Sequence, residues 1–557
     1  MTQRTHRFLA LASTLLLVAA CHPDAAPASP AVRPDAAAER IRADVALLAS
    51  DAMQGRETAT PGFERAADAV IARMRDAGLQ PAGDDGSYSQ RVPLLKATRL
   101  AEGAQLDVVR RDRTIHLRFG DHFLPEPHFD ADDSHVRAAA VFVAQGVSAP
   151  ALGHDDYAGL DLHAKIAVVL GGAPERFDAD QRAFLASTDA KLQAAVAHGA
   201  VGVVLVEAAQ DEMRAPWGAR AANWDRPALR LRDADGRGIG AFAQLQVVAR
   251  VSFAAADLLF DGSGHTAAQL ADAARAGTLR GFALPMSLAL AQRTHRQAVD
   301  SRNIVGRLPG SDAQLSGEAI VFSAHLDHLG VGTPVDGDAI RNGALDNALG
   351  VAIVLETARG LRDAASRRSQ LFVALTGEEQ GLLGAQWFAM HPPARLVADV
   401  NLDMPMLLAP ARDVVAIGGR HSTLQASLEQ AAKALGIGVS ADPFPEEGVF
   451  VRSDQFAFVR AGVPALYLDG GVVPAPSSAG KPADVHTLPK LAQREFLRRC
   501  YHQPCDDLRQ PIQYGDAAQM ARLNAGLGLL LGNAATAPAW TAGDFFQARS
   551  GAAAASR

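Results

Sequence analysis

Cysteine is almost missing from this chain, with three residues in 557. That excludes a fold built on a disulfide framework. A dominant charge of one sign is missing too. The formal net charge of −7 is mild for this length and gives no reason to expect a nucleic-acid partner. No internal repeat and no sustained heptads occur, so neither a solenoid nor a long coiled coil fits. Lysine and tyrosine are few beside abundant alanine and arginine, which reflects genome composition and not function. The apolar run "FLALASTLLLVAA" near the N-terminus is too short for a membrane span.

That run has the layout of a secretory signal, with Arg4, His6 and Arg7 before it and Cys21 at its end. Its last residues, "LVAAC", resemble the lipobox of bacterial lipoproteins. The resemblance implies an exported chain in the cell envelope or periplasm, touching a membrane only through a lipidated Cys21. Residues 1–21 are then a lipoprotein signal peptide, and 22–36 a Pro/Ala tether with nothing to pack. In an exported chain Cys500 and Cys505 are close enough in sequence to form a disulfide, or they stay as two free thiols.

The remaining length exceeds one ordinary core and implies two or three domains. Apolar and charged fractions of 48% and 21% are those of a soluble globular protein. "TPGFERAADAVIARMRDAG" predicts a helix. Thr60 caps it, Pro61 takes the first position, Phe63, Ala67, Val70, Ile71 and Met74 share one face, and Gly78 ends it. Residues 37–134 read as the first part of a main domain. Between 135 and 290 short buried strands, with one helix at 181–198, suggest an inserted, smaller α/β module. From 291 to 535 strands and helices alternate, as in a largely parallel mixed sheet flanked by helices, an α/β/α sandwich. Residues 536–557 read as a disordered tail.

Chemistry gathers where the apolar strands of the last region end. "AIVFSAHLDHLG" delivers His325 and Asp327, "RNGALDNALG" delivers Asp346, and "LFVALTGEE" delivers Glu378 and Glu379. "DVNLDMP" delivers Asp403, and "CYHQPCDD" delivers His502. Two adjacent glutamates after a buried strand need positive charge nearby. Histidine and carboxylate in this number suit two zinc ions. Two Zn²⁺ are neutralised by Asp346, Glu379, Asp403 and a bridging hydroxide, which leaves Glu378 free to handle a proton. In an extended segment His325 and Asp327 point to one side and His328 to the other. That predicts His325 as ligand, Asp327 as the partner that fixes its ring tautomer, and His328 as structural.

These blocks, with "RSDQFAFVRAGVPALYL", resemble the co-catalytic di-zinc peptidase family of bacterial leucyl aminopeptidase, aminopeptidase Y and glutamate carboxypeptidase II. The likeness covers roughly residues 40–533. The segments "DDYAGLDLHAKIAVVLGGAP" and "AAVAHGAVGVVLVE" resemble the protease-associated domain often inserted in that family. The resemblance implies an aminopeptidase acting on peptides. In it Asp346 bridges the two ions, His325 and Asp403 complete one site, Glu379 and His502 the other, and Glu378 is the general base. This sequence departs from many relatives at Leu345, where they have aspartate, and at Gln455, where they have histidine. A carboxypeptidase or dipeptidase on the same scaffold needs a basic grip, for which Arg341 and Arg452 are candidates. A non-catalytic receptor with a degenerate site would have lost ligands, and none is lost here. The sequence does not fix the oligomeric state.

Overall fold

The computed structural model describes residues 35–476 and 488–549. The expected signal peptide and the tether up to residue 34 lie outside them. Asp35 and Ala36, counted with the tether, instead open the first helix, where the Asp35 carboxylate accepts from Ala37 N.

The main domain starts with two helices, α1 (Ala36–Leu48) and α2 (Pro61–Asp76). Thr60 caps α2 by accepting from Phe63 N, and Phe63, Ala67, Val70 and Met74 are buried along one face, as the spacing predicts. A long strand, β1 (Ser89–Val109), follows, and beyond the inserted module a longer one, β2 (Phe282–Leu308). Then come β3 (Glu318–His325), α3 (Gly350–Leu361), β4 (Ser369–Leu375), β5 (Arg395–Asn401), β6 (Ala465–Gly470) and α4 (Tyr514–Asn533). β3 lies between β4 and β5, parallel to both, and β6 runs parallel to β5; β2 closes the parallel block antiparallel to β4.

The strands read as unbroken apolar runs because both faces are covered. On β3, Ile320, Phe322 and Ala324 pack with α1, α3 and α4, while Ala319 and Val321 pack on the other face with Ala385, Phe388 and Phe458. This is the expected large mixed sheet between helical layers.

The inserted α/β module adds four parallel strands to the same sheet, Asp133–Phe142, Ile166–Leu170, Gly202–Val206 and Val247–Val251, edged by the antiparallel Phe123–Pro125. Its core begins upstream of the expected boundary at 135. Leu106, Val108, Leu117 and Phe123 belong to it. The reason is that β1 and β2 pair from Ile304↔Ser89 to Ser287↔Val109 and run through both regions, with one register shift between Ala291 and Arg293. The helix expected at 181–198 is two helices, Ala179–Ala186 and Thr188–Ala197. Ser187 between them is extended, and its hydroxyl caps the second by accepting from Ala190 N.

The tail is a further correction. Residues 536–549 are packed: Phe546 is buried, Trp540 Nε1 donates to Gly462 O, and Asp544 pairs with His421. Aromatic burial holds this segment despite its Ala/Gly-rich surroundings.

Candidate metal centre

Because β3, β4 and β5 are parallel neighbours, their C-terminal ends open on one crevice, the usual ligand position of such sheets. β3 ends at His325, the turn after β4 carries Glu378 and Glu379, and the turn after β5 carries Asp403. Asp346 sits in the buried segment Ala344–Leu349 that leads into α3. His502 comes from the turn after the helix Pro489–Arg499, in a left-handed conformation with φ 61°, and Tyr501 stacks on its ring at 3.8 Å.

The five side chains expected as ligands meet in one place. His325 Nε2 lies 2.9 Å from Asp403 Oδ1 and 3.3 Å from Asp346 Oδ1. The other oxygen of Asp346, Oδ2, lies 3.4 Å from His502 Nε2, which is 3.2 Å from Glu379 Oε2. Asp346 thus presents one oxygen to each of two donor groups.

His328 departs from its expected structural place. Its Nδ1 is 2.6 Å from Glu379 Oε1 and 3.7 Å from Asp346 Oδ2, and its side chain is wholly buried. Period-2 reasoning fails here because β3 stops at His325, so the alternation does not extend through the next three residues. Among the described residues two sets have mutually close donor atoms, His325/Asp346/Asp403 and His328/Asp346/Glu379. Two compact, buried groups of nitrogen and carboxylate donors that share one carboxylate fit a pair of divalent ions of the zinc type.

Asp327 is corrected in detail. His325 Nδ1 meets the main-chain oxygen of Asp327 at 3.0 Å, not its carboxylate. The carboxylate instead accepts from Glu378 N at 3.1 Å and Glu379 N at 3.3 Å. It therefore shapes the turn that presents both glutamates. Burial raises its pKa to about 6.

Asp506, which the sequence did not single out, does similar work from the His502 turn. Its carboxylate accepts from Leu345 N at 2.8 Å and Asp346 N at 3.0 Å, and its main-chain oxygen accepts from Ala344 N. The only sequence signal was its place at the end of "CYHQPCDD". Cys500 and Cys505 are bridged, with Cα atoms 5.2 Å apart, so the ring closes around His502. Gln455, at the position of the relatives' histidine, is buried and spends its amide on Val449 O, Phe450 O and Asn401.

Electrostatics match a cation site. Burial opposes charge on Asp346, yet His328, His325 and His502 hold it well below the usual carboxylate range. Burial also opposes the imidazolium of His325, but Asp403 and Asp346 outweigh it and raise its pKa well above the ordinary value. Glu378 goes the other way. Burial raises it well above an ordinary glutamate, against the pull of His325 and with the help of Asp403 and Glu379.

Farther out, a cavity of about 710 Å³ lies between the inserted module and the segment at 445–452; Glu175, Arg182, Glu207, Glu447 and Arg452 are on its walls. Among the described residues no helix is long and apolar enough to cross a membrane.

The chain is similar to known proteins over parts of its length. The chain is 37% identical over 109 residues to a "Probable zinc metalloprotease" of Pyrenophora tritici-repentis, covering 19% of this chain and 24% of that one. It is 43% identical over 74 residues to a protein of the same description from Pyrenophora teres f. teres, covering 13% and 16%. The chain thus spans a quarter or less of the length of these curated relatives. Among solved structures, an aminopeptidase from Aneurinibacillus sp. strain AM-1 is similar at 18% identity and a TM-score of 0.49, over 89% of this chain and 94% of that one. The family model for peptidase family M28 matches residues 303–527, which hold every residue of the two donor groups. Over that segment, the chain is similar to peptidase family M28.

Proposed function

We propose that this chain is an exported zinc-dependent exopeptidase, an aminopeptidase that removes N-terminal residues from peptides. The observation that carries the reading is the shared carboxylate of Asp346, one oxygen toward His325, which meets Asp403, the other toward His502 and His328, which both meet Glu379. His325, Asp346 and Asp403 would hold one zinc ion, and Asp346, Glu379 and His502 the second, with His328 beside Glu379 as a further donor at that position. When bound, the ions supply Lewis acidity that brings the pKa of a water toward about 7 and polarises the scissile carbonyl.

The chain's own groups move the proton. Glu378 takes it from the attacking water and gives it to the departing amine. An environment that favours its protonated form suits the carrier of that proton. Asp327, by holding the amides of residues 378 and 379, keeps the base and the adjacent ligand at a fixed separation.

The inserted module acts as a protease-associated domain that roofs the site and narrows access to it. The N-terminal run and Cys21 support export with a lipid anchor. No nucleic acid is involved, and peptides are the partners.

A panel of aminoacyl anilides and N-blocked dipeptides, with and without a chelator, tests the reaction. Anilide hydrolysis that the chelator abolishes and zinc restores is expected. Exclusive cleavage of the blocked dipeptides would favour the second reading, a carboxypeptidase or dipeptidase, for which Arg341 and Arg452, the latter on the cavity wall, are the candidate cations.

The Cys500–Cys505 bridge ties down the turn that carries His502. Mild reduction is therefore expected to release about one of two zinc ions per chain and to lower activity. Zinc content and rate that both survive reduction would remove the bridge from the mechanism.

A further inference from the structure

A short segment at residues 55–58, far from the metal residues in sequence, touches three of the loops that hold them: the one after β3, the one that carries Asp346 and the one after β4. Arg56 is wholly buried, and among the described residues its guanidinium faces no carboxylate within ion-pair distance. Its donors all go to main-chain oxygens. Nε donates to Leu326 O at 2.8 Å, Nη1 to Asn342 O and Leu48 O at 2.6 Å each, and Nη2 to Gly343 O at 2.9 Å. Leu326 lies between His325 and Asp327, while Asn342 and Gly343 begin the segment that presents Asp346.

The main chain on either side adds to the brace. Arg56 O accepts from His328 N, Gly55 O accepts from Gly330 N, and Thr58 Oγ1 accepts from Gly377 N just before Glu378. Gln54, Gly55 and Arg56 all lie at positive φ, at 49°, 64° and 51°. Such a run is strained for non-glycine residues and persists only where surrounding contacts impose it. At Gly55 a Cβ would stand 2.5 Å from Arg341 O and 2.6 Å from Gly330 O, so only glycine lets the segment press this close.

A buried cation with no anion in contact is costly, and burial brings the Arg56 pKa down to about 10. What offsets the cost is four main-chain carbonyls and the field of Asp506, Asp346, Asp327 and Glu379. The peptide from 342 to 346 is thereby gripped twice, its carbonyls by Arg56 and its amides by Asp506.

We propose that Arg56 is a positioning residue of the metal centre, which holds the His325 and Asp346 loops in their ligating arrangement before any metal binds. The inference rests on the metal-site reading above. It predicts a preformed site, with affinity lost when the brace is removed.

Two measurements test it. The first needs no variant. In metal-free wild-type protein the amides of Leu326, His328 and Ala344 are expected to be protected from hydrogen exchange to within about tenfold of the zinc-loaded protein. Free exchange in the metal-free protein would mean that zinc orders the loops, and would overturn the proposal.

The second is zinc affinity by chelator competition in Arg56→Met and Arg56→Lys, well below their melting temperatures. Weakening on the order of tenfold or more is expected for methionine, with partial rescue by lysine. Arg368→Met is the control: Arg368 is equally buried and also serves main-chain oxygens, but at the start of β4, the opposite end from the site. Its zinc affinity should stay within about twofold of wild type. Unchanged affinity in Arg56→Met, or equal weakening in Arg368→Met, would overturn the proposal. If the methionine variant does not fold, the exchange measurement decides alone. Failure of wild-type protein to bind zinc at all would instead count against the metal reading.

Discussion

Replacing Glu378 by glutamine is expected to lower kcat by about three orders of magnitude or more, with zinc content unchanged. The amide keeps the shape of the side chain but cannot take a proton from water at neutral pH. Glu378 belongs to neither donor group around Asp346, so its loss removes no ligand. Its backbone N–H would still donate to Asp327, and the turn would keep its form. The measurement is kcat on an aminoacyl anilide beside zinc per chain. Near-normal turnover in Glu378→Gln would show that another group handles the proton. Loss of zinc in that variant would show that Glu378 is a ligand and not the base.

Asp346→Ala is expected to abolish activity by a different route. One carboxylate serves both donor groups, so its removal takes a ligand from each and also removes the charge that lets buried imidazoles and cations sit together. Zinc should fall from about two ions per chain to near none. Asp403→Ala makes the comparison sharp, because Asp403 contacts His325 but belongs to one group only. That variant should keep about one ion. Equal zinc loss in the two variants would show that Asp346 is not shared.

Much of this site was readable before any coordinates. His325, Asp346, Glu379, Asp403 and His502 each follow an apolar element or its turn, and strand ends in a parallel sheet must converge. What stayed hidden depended on contacts between backbone and side chain across long sequence distances. Asp506 holds amides about 160 positions earlier, and Arg56 holds carbonyls about 270 to 290 positions later. No periodicity marks such a residue. His328 was misread because the strand rule was carried past the end of the strand. Asp327 was assigned the right neighbour through the wrong atom, since a spacing of two residues cannot say whether a ring meets a carboxylate or a carbonyl. At the C-terminus a small-residue composition outweighed Trp540 and Phe546, although one buried and one half-buried ring suffice to dock a short segment.

The paired strands β1 and β2 limit how the molecule can be re-engineered. Excising residues 135–290 as a cassette would cut β2 within its ladder. Leu106 through Val109 would lose the register partners Leu290 to Ser287, and Leu117 and Phe123 would be stranded in water. A truncated enzyme that precipitates after such a cut would report an exposed sheet edge and not a catalytic role for the module. A clean graft has to splice both strands at matched rungs, such as Arg99 opposite Thr294, so that the ribbon is shortened as a pair and closed by a new hairpin.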